Sequence, residues 1–501
     1  MYAVDTPSQQ QQQQLAEVFS PQLFRDNAEI VVDKLAEYLA DNSVRGLALT
    51  DPASLLESAK SLMSDEAGTD PKSASKNAQD KLAAIIDLYL KTGIPVYSPG
   101  YMGRQFSGVI PMAGVFDLVN SIANQPSSFY EAGQLPNVVE SIMAQELNQC
   151  IGYAPDTFAM ITTSGGSLAN LTAMLAARNN RYAEFWSGGV AAVAGQPRPA
   201  IAVSEDAHYS VARAAGIMGI GADQLIRLPI NAKKQIDIAQ VETTLEAAKQ
   251  RGLDVFCLVA AVGSTSVGAF DPIDQLADIC QHQDIWLHVD GAHGGSLLVS
   301  DKLRPKLKGI ERADSFVWDA HKMLFLPSMC TLLFYKNKVK SYGAFQQQAS
   351  YVFEQEPDIY TVMDSAEQNF ECTKRPLIMN LWVCWVLYGK ALFATKLEAL
   401  HQMTQSVYQL LQQQVDFEPL HQPEANILCF RYLPENLIIE SGEFQLAIRN
   451  KIRKDAKFFI SKVDIDGEAA LLVVFMNHEI TLDHVQQLLA EVRRVGQQLI
   501  S

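Results

Sequence analysis

Trp286-Leu287-His288-Val289-Asp290-Gly291-Ala292-His293-Gly294-Gly295 decides the architecture. An apolar run interrupted only by His288 ends in an acid and then in small residues, the pattern of a strand buried on both faces that stops at a loop. Other runs of the same kind are Ala159-Met160-Ile161-Thr162-Thr163, Ala200-Ile201-Ala202-Val203 and Val255-Phe256-Cys257-Leu258-Val259-Ala260-Ala261, with helical periods between them. Such an alternation predicts an α/β fold with a mainly parallel sheet covered on both faces. Ligands of these sheets lie beyond the strand carboxyl ends, so Asp290 stands where chemistry is expected.

The rest of the chain arranges itself around this sheet. Residues 1–14, ending in the tract Gln9 to Gln14, show no apolar period and are expected to be a disordered lead. Residues 15–99 have helical spacing, as in Ile30-Val31-Val32-Asp33-Lys34-Leu35-Ala36-Glu37-Tyr38-Leu39, and form an expected N-terminal arm suited to clasping a second subunit. Residues 100–395 are the expected large α/β domain. Residues 396–501 are the expected small α+β domain, with a helix from Lys396 to Val415, strands at Ile427 to Tyr432 and Ala470 to Met476, a basic helix between them, and a last helix from Leu482.

The 501 residues hold 40 basic and 56 acidic side chains, a formal charge of −16, which disfavours a nucleic acid or an anionic membrane surface as partner. The seven cysteines mostly sit in apolar runs and read as reduced core thiols, so a cytoplasmic location is expected. No uncharged run approaches the roughly 18 residues that cross a bilayer. No metal site is expected.

A second stretch, Ser315-Phe316-Val317-Trp318-Asp319-Ala320-His321-Lys322-Met323, follows the first. Lys322 lies between His321 and Met323-Leu324-Phe325-Leu326, and apolar surroundings would lower its pKa and make it a nucleophile for carbonyls. Asp290 reads as a buried carboxylate satisfied by amides, or as an anion kept beside a cation such as a protonated pyridine nitrogen. An anion for a pyridinium and an amine for an aldehyde are the two charges a pyridoxal phosphate ring requires. Thr163-Ser164-Gly165-Gly166-Ser167-Leu168-Ala169-Asn170 ends a strand and opens a helix. Alone it reads equally as a capped turn or as a phosphate site at the helix's positive end. His208 follows the next strand and is either a hydrogen-bonded structural residue or an imidazole stacked on a cofactor ring. In Gly263-Ser264-Thr265-Ser266 the hydroxyls are turn residues, or Thr265 bonds the cofactor face.

Together, Ser-Gly-Gly-Ser at 164–167, Asp-Ala-His-Tyr-Ser at 206–210, Gly-Ala-Phe-Asp-Pro at 268–272, His-Val-Asp-Gly-Ala-His-Gly-Gly at 288–295 and Asp-Ser-Phe-Val-Trp-Asp-Ala-His-Lys at 314–322 resemble the group II pyridoxal-phosphate amino-acid decarboxylases. The resemblance implies a fold-type I transferase-like architecture, pyridoxal 5'-phosphate as cofactor, and a homodimer with shared active sites. It implies that Lys322 forms the Schiff base with the cofactor, Asp290 pairs with the pyridinium, and His208 stacks on the ring with Ala292 on the opposite face. Thr265 would hold the cofactor's oxygen side, and Gly166, Ser167 and His321 its phosphate. Tyr351 matches the loop tyrosine that returns a proton to the substrate carbon across the dimer interface.

Three departures from the family pattern stand out. His293 stands where many relatives carry an aromatic residue, Asp319-Ala320 replaces Asn-Pro, and Leu472 replaces the arginine that grips the substrate's α-carboxylate. Arg104, Lys374 and Arg375 are the candidates to take over that grip. Gln105, with Arg104 beside it, resembles the segment that meets a side-chain acid in glutamate-type and cysteine sulfinate-type relatives. The expected substrate is a short polar L-amino acid, 2,4-diaminobutyrate or glutamate ahead of aspartate, cysteine sulfinate and aromatic ones. The expected reaction is α-decarboxylation, with aldehyde-forming decarboxylation-oxidation and a non-catalytic paralogue as the rival readings.

Overall fold

The computed structural model describes residues 8–63, 71–345, 363–435, 437 and 440–500. Seven strands form one sheet: β1 (Ala159–Thr163), β2 (Arg198–Ser204), β3 (Leu225–Leu228), β4 (Leu253–Ala261), β5 (Trp286–Asp290), β6 (Ser315–Asp319) and β7 (Thr331–Tyr335). Their order is β1-β7-β6-β5-β4-β2-β3. The pairs β2–β3, β2–β4, β4–β5 and β5–β6 are parallel, in keeping with the mainly parallel sheet expected of these apolar runs. β7 runs antiparallel between β6 and β1, because the link from Asp319 to Thr331 is too short for a helical crossover.

Successive side chains along each strand enter different cores. Leu287, Val289, Phe316 and Trp318 join one cluster with Leu258 and Phe334. Trp286 and Val317 join the other, where Ala169, Ala173 and Ala177 of the helix Gly166–Arg181 cover the sheet. Burying each large apolar side chain stabilises by about 1.5–3 kcal/mol, and fixes which strand residues face the helix and its N-terminus.

Four further strands, β8 (Phe417–Pro419), β9 (Ile427–Tyr432), β10 (Ser461–Ile465) and β11 (Glu468–Val474), form an antiparallel sheet in the order β10-β11-β9-β8. Asp466 and Gly467 close the β10–β11 hairpin with φ of 57° and 85°, the two positive values that a tight hairpin turn of the primed type demands. Leu472 pairs with Cys429 and Ser461 in this sheet and is buried. The helix expected from Lys396 begins at Ile378 and runs to Gln412, broken at Gly389 (φ 69°). It is long and apolar enough to cross a membrane by length and composition, but Ile378, Leu381, Phe393, Leu397 and Leu400 sit in the apolar core.

The chain divides into two compact units. One spans residues 103–446 and 461–482 and holds both sheets; the other combines the residues up to 102 with 447–460 and 483–501. In the second unit Tyr101 bridges to Phe459 with stacked rings 5.2 Å apart, and Lys34 meets Asp87 at 3.0 Å. Its helices Pro21–Ala40 and Pro52–Leu62 bury none of their residues. The expectation of a disordered lead fails for the glutamine tract: Gln9–Val18 is a helix capped by Ser8, whose hydroxyl and the Gln11 side chain form a reciprocal capping box. Unbranched glutamine loses little side-chain freedom in a helix, and the box satisfies two otherwise bare amides.

Candidate active site

A cavity of about 190 Å³ opens where the loops after β1, β2, β4, β5 and β6 converge, lined by Gln105, Gly166, Ser167, His208, Thr265, Asp290, Ala292 and Lys322 among others. Larger clefts of about 670 and 520 Å³ lie elsewhere on the same unit and hold none of these residues. The cavity wall brings together eight of the thirteen sequence-derived candidates.

Asp290 closes β5. One of its oxygens accepts the Ala292 N–H at 3.1 Å and the other accepts Asn170 Nδ2–H at 2.8 Å. Asn170 escaped the sequence reading, although it lies four residues after Gly166 and hence on the same helix face.

Lys322 sits in the short helix Ala320–Met323 that follows β6, its side chain 24% exposed and its Nζ 3.4 Å from Asp319 Oδ2. The expectation of apolar surroundings is therefore corrected, since a buried carboxylate accompanies the amine. Asp319 also accepts the Thr331 hydroxyl and lies 3.7 Å from His321 Nε2. Ser107 Oγ donates to the Lys322 carbonyl at 3.0 Å, which ties the segment carrying Gln105 to the lysine.

The helix Gly166–Arg181 makes its first backbone bonds from Leu168 and Ala169 to the Gly165 carbonyl, both at 3.1 Å, so the amides of Gly166 and Ser167 precede them. Gly165 has φ 135°, a conformation open to glycine. A Cβ on Gly166 would lie 3.1 Å from both Asp319 oxygens, so bare backbone and a carboxylate face each other here.

His208 caps the helix Tyr209–Ile217, and burial lowers its pKa. Thr265 follows Gly263, whose φ of 82° and close approach to Gly294 (2.8 Å from an added Cβ) exclude any larger residue. Asp206, also on the wall and unnoticed in the sequence, accepts the Ser266 hydroxyl, and burial raises its pKa. His293 is buried, with Nε2 2.7 Å from Asn426 Oδ1 and its pKa pushed down to about 3 by burial. The Gln105 Nε2 is buried without a hydrogen-bond partner among the described residues.

Other candidates lie off the wall. His321 turns its Nδ1 to the Cys330 N–H at 3.2 Å and does not line the cavity. Arg104 is exposed and does not line it either. Of the substitutes for the missing arginine, Lys374 is buried against Glu140 at 3.0 Å and Arg375 pairs with Asp117 at 3.1 Å, both away from the cavity. Leu472 is likewise absent from the wall. Tyr351 lies outside the described residues.

A carboxylate at one strand end, an amine at the next, and uncommitted amides at a helix N-terminus form a donor set that fits a group with a pyridine nitrogen, an aldehyde and a phosphate. Asp319 is the single member whose charge opposes the phosphate.

Comparison with known proteins agrees with this chemistry. Residues 66–433 match the pyridoxal-dependent decarboxylase conserved domain. Among solved structures, mouse CSAD superposes with a TM-score of 0.85 at 23% identity, covering 96% of this chain and 99% of that one. The Oryza sativa TDC bound to PLP and tryptamine gives 0.85 at 20% identity, covering 96% and 99%. The glutamate decarboxylase domain of the Vibrio parahaemolyticus diaminobutyrate-pyruvate transaminase and L-2,4-diaminobutyrate decarboxylase gives 0.79 at 21%, covering 95% of each chain. At these identities the superpositions speak for the fold, while the domain match extends over most of the chain. The chain belongs to the pyridoxal-dependent decarboxylase family, and it is a pyridoxal-phosphate-dependent carboxy-lyase.

Proposed function

We propose that the protein α-decarboxylates a short L-amino acid with a side-chain amine, L-2,4-diaminobutyrate first, to the amine and carbon dioxide. The observation that carries this reading is the charge of the wall: Asp206, Asp290 and Asp319 line the cavity, and Lys322 is its one cation among the described residues. With Asp290 and Lys322 committed to the cofactor, Asp206 remains for a substrate ammonium, and an acidic side chain meets no arginine on this wall among the described residues. Glutamate is the second reading, supported by the unpartnered Gln105 Nε2, a donor suited to a carboxylate.

When bound, pyridoxal phosphate supplies the electron sink into which the bond to the carboxylate breaks. Lys322 Nζ would hold the aldehyde, Asp290 would hold the proton on the pyridine nitrogen, the Gly166 and Ser167 amides would bind the phosphate, and Thr265, His208 and Ala292 would confine the ring. Tyr351, which lies outside the described residues, is assigned by the family resemblance alone and would return the proton to the substrate carbon. A homodimer is supported by the apolar surface of the N-terminal helices, where Phe19 is 80% and Val18 61% exposed.

The test is release of carbon dioxide and amine by cofactor-loaded protein offered diaminobutyrate, glutamate, aspartate, cysteine sulfinate, ornithine, lysine, tyrosine and tryptophan separately. Preference for diaminobutyrate, lost in Asp206→Asn, supports the first reading. Preference for glutamate, lost in Gln105→Ala, replaces it with the second, and an aromatic preference overturns both.

A further inference from the structure

Behind Asp290 runs a hydrogen-bonded chain that none of the cofactor contacts explains. Trp286, His288 and Asp290 alternate along β5 and so share one face of the sheet. Trp286 Nε1 donates to Ser315 Oγ at 2.8 Å, and Ser315 Oγ lies 2.8 Å from His288 Nδ1. His288 Nε2 lies 2.9 Å from Asn170 Oδ1. Asn170 Nδ2 donates both to Asp290 Oδ2 at 2.8 Å and to Ser210 Oγ at 3.1 Å. Ser210 Oγ finally lies 2.8 Å from His208 Nδ1. His288 and Ser315 are fully buried, and Asn170 is 1% exposed.

The two ends of this chain leave its hydrogens one arrangement. The indole N–H can only donate and the ionised Asp290 can only accept. Asn170 must therefore turn its NH2 to Asp290 and its oxygen to His288, which places the His288 proton on Nε2. His288 Nδ1 then accepts the hydroxyl proton of Ser315, whose oxygen is already taken up by the indole. Burial, which pushes His288 down to about 4, agrees with a single ring proton. On the side branch, Ser210 receives the second Asn170 hydrogen and passes its own to His208 Nδ1, which also accepts the Ser210 backbone N–H at 3.3 Å. His208 is left with its proton on Nε2.

We propose that His288 is a positioning residue for the cofactor site: through Asn170 it holds the Asp290 carboxylate toward the pyridine nitrogen. The inference rests on the role assigned above to Asp290. Leucine at 288 breaks the chain at similar volume, whereas glutamine can still donate to Asn170 and accept from Ser315.

The experiment compares wild type, His288→Leu, His288→Gln and Asp290→Ala as cofactor-loaded proteins. It reads pyridoxal phosphate affinity by fluorescence and the pH midpoint of the bound cofactor's visible absorption. His288→Leu is expected to weaken cofactor binding about tenfold, the upper scale of one lost hydrogen bond between neutral groups, and to move the midpoint by about one pH unit. His288→Gln is expected to restore both. A midpoint that moves in Asp290→Ala but not in His288→Leu overturns the relay alone, as does equal impairment of the leucine and glutamine variants. A midpoint unmoved in Asp290→Ala overturns the role of Asp290 and the relay with it. Should His288→Leu fail to fold, His288→Met also removes the donor to Asn170 and is read in the same way.

Discussion

Lys374, a candidate for the missing carboxylate grip, is held in a buried ion pair whose disruption has a calculable cost. Its ammonium, 1% exposed, donates to both oxygens of Glu140 at 3.0 Å and to Ser365 Oγ at 3.1 Å. Glu140 also accepts the N–H of Thr162 at 2.8 Å and its hydroxyl at 3.2 Å, so the pair anchors β1 just ahead of Gly165. Glu140→Leu strands an ammonium with one hydroxyl for company and should cost about 3–5 kcal/mol. Lys374→Met leaves a carboxylate that keeps both Thr162 donors, placing its cost near about 3 kcal/mol. The double variant removes both charges and should fall at least about 2 kcal/mol short of the summed losses. Urea unfolding followed by circular dichroism measures the four proteins, with steady-state kinetics on the same samples. Because Lys374 lies off the cavity, Lys374→Met should leave KM within about twofold of wild type. Additive losses refute the buried pair, and a KM raised about tenfold or more with unfolding unchanged would make Lys374 a substrate ligand after all.

Asp319→Asn removes the one charge that opposes a phosphate at the Gly166 amides and should tighten pyridoxal phosphate binding about tenfold in a fluorescence titration of the apoprotein; equal or weaker binding refutes that placement. His293 has its folded pKa depressed from 6.5 to about 3, so the stability it contributes is complete above pH 6.5 and is lost as pH falls toward 3. Over that window His293→Phe should flatten the fall in unfolding free energy by about 1.4 kcal/mol per pH unit, and parallel pH profiles for the two proteins would refute it.

The strands that carry the site were readable because each is apolar along its length and stops at small or polar residues, which is how Asp290, Lys322, Gly166, Thr265 and His208 announced a shared edge. Direction was not readable: Thr331-Leu332-Leu333-Phe334-Tyr335 is as apolar as a parallel strand, and only its short link to β6 makes it antiparallel. The resemblance assigned His321 to the phosphate, but its side chain turns from the cavity that Lys322 lines, since adjacent side chains in a helical turn diverge by about 100°. Lys374 and Glu140 stand 234 residues apart, and nothing local to either signals burial. Asn170 sat inside a quoted motif, but its importance comes from what β5 and β6 place opposite it.

The position of β1 bears on how this protein is made. β1 lies at the sheet edge and pairs with β7, Ala159 opposite Tyr335, so every other strand of the large sheet is synthesised before β1 has its partner. Pairings between sequence-distant strands form slowly, and an unpaired apolar strand seeks other company while it waits. A chain stalled on the ribosome before Thr331 would already carry both Asp290 and Lys322, and the helix after Gly165 could pack on β5 and β6, yet β1 would have no strand to pair with, leaving an apolar strand open to aggregation.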